Sequence, residues 1–349
     1  MAETGTVTAT AGLNLRAGPG GRRIGALRHG EKVRVLGRDG QWLRIRAGRR
    51  RGYVYARYVA LAKAPEGEFR FDGENAAAPD GSVFARRYRR GVYNRGRTTV
   101  DQFAAAHGDL LADSSASALR VLGAVSANEG RLEAVNTWDA AFLSFGCLQW
   151  SAGQGSAKGE LAALLERLKR EEPAAFGRHF AVHGLDVAEV RGRLAYGRIV
   201  LAGEVLRTPA EKEQLRSLTW AWRFGRAGAD PAVGRVQLRH AMARIEIFRR
   251  PPLSAYVTSE YGVALLLDQH VNHPRHLART LRQAVEDLGG GLDATAPEAW
   301  GFAEEARLLE RYLERRQQTS MTDSAGRAGR ILAAVLDGRI SDQRGSFVA

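Results

Sequence analysis

A single cysteine, Cys147, stands among 349 residues, which excludes an internal disulfide. Inside an apolar stretch it reads as a small buried hydrophobe rather than a nucleophile. Long apolar runs are missing as well. Nothing approaches the roughly 18 to 20 residues needed to cross a bilayer, and pieces such as Val263–Leu267 read as core. The opening, MAETGTVTATAG, lacks the basic region and apolar core of a secretory signal. Either a signal has been removed or the protein leaves its cell by another route. Metal signatures are absent too. His270, His273 and His276 are interrupted by Pro274 with no separate carboxylate or H-E-x-x-H pattern beside them, and His179 and His183, four apart on a predicted helix, read the same way. Neither a metal nor another cofactor is expected.

Negative charge is also scarce: 38 Asp+Glu against 52 Lys+Arg leave a net charge of +14. The excess is local, because Met1–Glu66 holds 14 basic and 4 acidic residues. A field that attracts wall polymer, acidic polysaccharide, membrane surface or nucleic acid is therefore concentrated in the N-terminal piece. Phe84–Arg97, FARRYRRGVYNRGR, interleaves aromatics with arginines, a mixture able to stack on bases. With no RNA- or DNA-binding motif around it, it reads as a packed entry segment or cleft wall, and nucleic acid is not an expected partner.

What is present is a well-cored chain, 44% hydrophobic and 26% charged, long enough for two domains. Short alternating segments at Thr6–Thr10, Arg23–Arg28, Lys32–Gly37, Trp42–Ala47 and Gly52–Ala56 are separated by Gly18-Pro19-Gly20-Gly21, His29-Gly30 and Asp39-Gly40. Such spacing predicts a small all-β barrel. The segments Leu13-Asn14-Leu15-Arg16-Ala17-Gly18-Pro19, Asp39-Gly40-Gln41-Trp42 and Gly52-Tyr53-Val54 resemble the signature pieces of bacterial SH3 domains. That resemblance implies a module at 1–62 that targets an enzyme to peptidoglycan or serves as an interaction module. A linker rich in Pro, Ala and Gly is expected at 63–82, and a second domain at 83–349.

The second domain is organised around Ser126–Gly153. In Ser114–Glu129 the apolar Ala118, Val121, Leu122 and Val125 follow helical spacing, with Asp113 or Ser114 as N-cap and Gly130 as the stop. Glu129, four residues past Val125, projects from the buried face at the helix's C-terminal end. Burial and the helix dipole are both expected to raise its pKa, as a general acid requires. Beyond it, Asn136-Thr137-Trp138-Asp139 forms a turn and Phe142–Trp150 a return strand, so that Asp139 faces Glu129 across a groove. Two carboxyls flanking one bond are the minimum apparatus for glycoside cleavage.

An acid ending a helix, a polar turn and a Gly-x-x-Gln strand, here Gly146-Cys147-Leu148-Gln149, resemble the lysozyme superfamily, in particular lytic transglycosylases and phage muramidases. The resemblance implies Glu129 as catalytic acid, Asp139 as second acid, and Asn136, Thr137, Trp138, Ser144, Gln149 and Trp150 as substrate-binding residues. Tyr261–His273 is similar to a helix of chitosanases and some phage muramidases carrying D-x-x-x-N at the cleft floor, which adds Asp268 and Asn272. The remainder is expected to be helical over Gly159–Glu171, Pro173–His183, Val187–Ala202, Pro209–Arg223, Pro231–Phe248, Ser254–Val271, Pro274–Leu288, Pro297–Arg316 and Ser324–Asp337. The expected fold is thus multidomain: an SH3-like barrel plus a mostly helical α+β lysozyme-like domain.

The function implied is a peptidoglycan-cleaving glycosidase, muramidase or lytic transglycosylase. The alternatives are a chitosanase-like hydrolase and a non-catalytic wall-binding component of a phage or injection apparatus. The place of action is expected to be the periplasm or cell wall, reached by phage lysis, by contractile injection, or by secretion with the signal removed.

Overall fold

In the computed structural model, residues 4–61, 68–192, 195–251, 253–289 and 294–348 are described. The chain divides into two compact units, Met1–Val83 and Phe84–Ala349. In the first, seven strands form one sheet: β1 (Thr4–Val7), β2 (Leu13–Arg16), β3 (Arg23–Leu27), β4 (Lys32–Asp39), β5 (Trp42–Ala47), β6 (Arg50–Tyr55) and β7 (Val59–Leu61). Their spatial order is β3-β2-β6-β5-β4-β1-β7. Strict alternation along β5 sends Leu43, Ile45 and Ala47 inward and Arg44 and Arg46 outward. The imperfect alternation of β4 has a local cause. The register shifts between Val35 and Gly37, a bulge that leaves Leu36 half-buried while Val33 and Val35 stay in the core. Gly52 is required by proximity, since a Cβ there would lie 2.6 Å from the Arg16 carbonyl oxygen and 2.8 Å from the Leu15 side chain.

The stretch expected as a linker contains regular structure. Residues 62–67 lie outside the described residues, but β8 (Arg70–Asp72) and β9 (Asn75–Ala77) form a hairpin, with Gly73 supplying the positive φ of 58° that its turn needs.

The second unit begins with five consecutive antiparallel strands. These are β10 (Val83–Tyr88), β11 (Gly91–Asn94), β12 (Val135–Asn136), β13 (Ser144–Phe145) and β14 (Trp150–Ser151). The return strand expected at Phe142–Trp150 is therefore broken. Its middle is a tight turn, with Gly146 at φ 83° and Gln149 at φ 50°. Between β11 and β12 lie α1 (Val100–Ala106) and α2 (Ala116–Glu129). The N-cap of α2 is Ser115, whose side chain accepts from the Ala118 N–H, rather than Asp113 or Ser114.

After the sheet come α3 (Leu161–Glu171) and α4 (Pro173–His179), then β15 (Leu185–Arg191), β16 (Tyr196–Leu201) and β17 (Glu204–Val205). The helix expected over Val187–Ala202 is an antiparallel hairpin instead. Burial along β16 alternates with a period of two, placing Gly197, Ile199 and Leu201 inward, and Val187, Ile199 and Val200 are β-branched residues suited to a pleated surface. The remaining elements are helical: α5 (Pro209–Lys212), α6 (Leu218–Gly228), α7 (Pro231–Phe248), α8 (Leu253–Tyr256), α9 (Glu260–Asn272), α10 (Leu277–Glu286), α11 (Phe302–Gln317) and α12 (Ser324–Leu336).

Two helices form the centre of this unit. Residues 262–270 of α9 are buried on every face, and 121–126 of α2 are buried likewise. The helices pack on each other, and α12 packs on both. Each fully buried Leu of α9 contributes roughly 1.5–3 kcal/mol by removal from water. The consequence for function is positional: the last residues of the two central helices, Glu129 and Asn272, meet.

Candidate active site

Glu129 ends α2 with its side chain only 12% exposed. Gly130 follows in an extended conformation and passes its N–H to the Ser126 carbonyl. Glycine is needed there for closeness rather than for a left-handed turn. A Cβ on Gly130 would lie 2.6 Å from the Ala134 Cβ and 3.3 Å from the Gln149 Nε2. The Gly146–Gln149 turn is thus folded directly against the end of the acid's helix.

The Glu129 carboxylate is held through one oxygen. Oε1 accepts from the Asn272 Nδ2 at 3.0 Å and is ion-paired with the Arg327 guanidinium of α12. Among the described residues no donor is bonded to Oε2. Arg327 also contacts the Asp268 Oδ1 at 2.6 Å, and Asp268, fully buried, pairs with the equally buried Arg316 of α11 at 2.6 Å. The Asn128 Nδ2 donates to Asp268 at 3.0 Å. Two carboxylates and two guanidiniums from four helices thus form one charge-balanced chain. Burial alone would weaken the hold of Arg327 on its proton, but Glu129 and Asp268 outweigh it, and the Arg327 pKa is raised. The expectation for Glu129 considered burial and the helix dipole alone. Arg327 and Asn272, which both contact its carboxyl, were absent from it.

Asp139 is held in its own turn. Its Oδ1 accepts from the Ala141 N–H at 2.8 Å and its Oδ2 from the Asn136 Nδ2 at 2.9 Å, while the Asn136 Oδ1 accepts from the Trp138 N–H at 3.0 Å. Arg216 clamps the turn from beneath, donating to the carbonyls of Thr137 and Asp139. Asn136 pairs with Ser144 in β13, and Gly146 donates to the Ala134 carbonyl at 2.8 Å. One continuous piece of sheet therefore carries the Asp139 turn and the Gln149 turn, and the latter lies against the end of the helix bearing Glu129.

The other expected residues divide by burial. Trp138 is half-buried, and its ring faces Tyr88 and Arg89. Thr137 is fully buried and accepts from the Val92 N–H through its hydroxyl at 3.0 Å. Ser144 is buried in β13, and Trp150, 2% exposed, packs edge-on against His240 with ring centroids 5.5 Å apart. These three were expected on a groove wall and stand in the core: Ser144 and Trp150, whose cross-strand partners are Ser151 and Phe145, point to opposite faces of the sheet, and both faces are covered there. Asp268 is fully buried too, and it is linked to Glu129 through Arg327.

Sequence reading missed Arg327, Arg316, Arg216 and Gln237. Gln237, fully buried on α7, accepts from the Cys147 N–H at 3.1 Å and donates to the Leu132 carbonyl at 2.9 Å, pinning the Gly146–Gln149 turn. No local pattern marks any of the four. Cys147 is fully buried, and desolvation pushes its thiol up to about 12. Among the described residues no group of three or more His, Cys, Asp or Glu side chains is placed to hold a metal ion.

On the opposite side of α9, Arg244 donates to the Glu160 Oε2 at 2.6 Å and to the His270 Nδ1 at 3.1 Å. Burial, reinforced by Arg244, lowers His270 from 6.5 to about 4. A group whose folded pKa is depressed supports stability above its unfolded value and loses that support as pH falls through the folded one. Between pH 7 and pH 4 the protein is expected to lose about 3 kcal/mol more than His270→Gln. Urea unfolding at the two pH values measures this, and equal losses would contradict it.

Residues 11–60 match the bacterial SH3 domain family, and the N-terminal barrel is a domain of that kind. The match ends before Phe84–Ala349 begins. Comparison with curated proteins and with solved structures returned no match to the chain.

Proposed function

We propose that the Phe84–Ala349 unit cleaves the glycan strand of peptidoglycan with Glu129 as general acid, and that the SH3 domain holds the protein on the wall. The observation that carries this reading is the Glu129 carboxyl itself. One oxygen is fixed by Arg327 and Asn272, the other has no donor among the described residues, and the Gly-x-x-Gln turn is packed against its helix end. An acid fixed in this way has a defined direction in which to deliver a proton to a glycosidic oxygen. Asp139 serves as the second acid on this reading, stabilising the oxocarbenium-like state or activating water.

Charge favours peptidoglycan over chitosan. A polymer of free amino sugars is a polycation, and a protein of net charge +14 repels it. The place of action on this reading is the periplasm or cell wall, reached by phage lysis, an injection apparatus or secretion. The protein is expected to clear a suspension of purified murein and to leave chitosan intact. The reverse preference would favour the chitosanase-like reading, and wall binding without clearing of either would favour a non-catalytic wall component.

Removing Met1–Pro65 takes away most of the surplus positive charge. Sedimentation with murein is expected to fall about tenfold at low salt, with the difference shrinking as salt screens the attraction. Unchanged sedimentation would count against a targeting role.

A further inference from the structure

We propose that Tyr88, Arg89 and Trp138 form a subsite for a carboxylate-bearing amino sugar of the glycan strand, a reading that rests on the glycan-cleaving function above. The β10–β11 hairpin closes through a two-residue loop, Arg89-Arg90, because Tyr88 pairs with Gly91. Arg89 occupies its first position at φ 49°, where glycine is usual. Backbone strain of this kind is tolerated where the surroundings impose it, and it concentrates at working sites. Here the side chain gained by accepting the strain lies over two rings, 4.8 Å from the Trp138 centroid and 5.5 Å from that of Tyr88. The rings themselves stand edge-to-face at 4.8 Å, and Tyr88 is 47% exposed.

The platform is rigid and well placed. The Val92 N–H donates to the Thr137 hydroxyl at 3.0 Å and the Thr137 N–H to the Val92 carbonyl at 2.9 Å. Gly91 packs so closely on Thr137 that no Cβ fits there. The hairpin tip is thereby fastened to the turn that carries Asp139. Arg86, two residues before Tyr88 on the same strand, shares its face, and among the described residues no carboxylate pairs with Arg86, Arg89 or Arg90.

One exposed ring beside unneutralised guanidiniums matches a sugar that offers an apolar face and a carboxylate. Because the two rings are nearly perpendicular, at 75°, they do not offer the successive parallel faces on which neighbouring bases stack. A single sugar ring is the better fit, and nucleic acid becomes an outcome of the test.

The test is calorimetric titration of full-length Glu129→Gln with three probes. These are a peptide-free peptidoglycan tetrasaccharide, an uncharged N-acetylglucosamine tetramer and a single-stranded DNA of about ten nucleotides. The charged tetrasaccharide is expected to bind best. Adding Arg89→Gly should weaken it about tenfold, the loss of one charge-assisted contact, and change the neutral tetramer less than about twofold. Melting temperature should not drop, because glycine suits φ 49° better than arginine. Adding Tyr88→Ala should weaken both sugars. Absence of tetrasaccharide binding, affinities unmoved by either change, or DNA binding tighter than the sugar and lost in the same variants would each overturn the subsite. Cleavage by the wild-type protein is scored separately. Platform-dependent binding without cleavage would leave the subsite standing and remove the hydrolase reading, whereas cleavage with unmoved binding would remove the subsite alone.

Discussion

Glu129→Gln is expected to lower the release of soluble glycan from purified murein by about a thousandfold, the typical scale of a lost general acid, while leaving the protein folded. Gln has nearly the shape of Glu but carries no transferable proton, so the chemistry is removed and the packing kept. Arg327 does not become an orphan in this variant, because it still contacts Asp268 at 2.6 Å. The stability loss should therefore stay near 1 kcal/mol, the net worth of one hydrogen bond. A melting curve beside the clearing assay separates the two effects. A variant that cleared murein at the wild-type rate would remove Glu129 from the reaction. One that unfolded would show that the Arg327 pair had been holding the helix ends together.

The second large effect concerns stability. Asp268→Asn removes the only carboxylate that Arg316 contacts among the described residues and one of the two that Arg327 contacts. Arg316 is fully buried, and its remaining bonds to the Leu265 and Ser324 carbonyls and the Ser324 hydroxyl do not neutralise it. Breaking a buried pair from one side costs about 3–5 kcal/mol, because the surviving charge stays desolvated. Urea unfolding of Asp268→Asn should show a loss of that size. Asp268→Leu combined with Arg316→Met should regain part of it, since a matched apolar pair leaves no orphan charge. Murein clearing should fall in Asp268→Asn as well, because Arg327 then has Glu129 as its sole carboxylate partner. A stability within about 1 kcal/mol of wild type would show that the charge chain does not hold these helix ends.

How much of this was legible depended on the distance over which each cause acts. The barrel could be read because its turns and its alternation, as in Trp42–Ala47, are local. Helix α7 was expected at Pro231–Phe248 and lies there, because Asp230 caps it and Pro231 opens it. Val187–Ala202, most of the Leu185–Leu201 hairpin, was read as a helix because apolar residues at Val187, Val190 and Ile199 fit either period over so short a stretch. Only the pairing of β15 with β16 decides between them. Helix phase placed Glu129 toward the interior, and the structure leaves it 12% exposed. Nothing near Glu129 in the chain announces Arg327, which lies 198 residues further on among 52 basic residues. Thr137, Ser144 and Trp150 were misplaced for a similar reason: what covers them lies far away in sequence, as His240 does from Trp150 and Val92 from Thr137.

The central claim is that this protein breaks glycosidic bonds in peptidoglycan through Glu129. Mass spectrometry of the material released from purified murein tests it most directly, with wild-type protein and Glu129→Gln compared at equal folded concentration. The account predicts disaccharide-repeat fragments with new reducing or anhydro ends from the wild type and about a thousandfold less from the variant. Intact glycan strands after wild-type treatment, or the same new ends from both proteins, would contradict it.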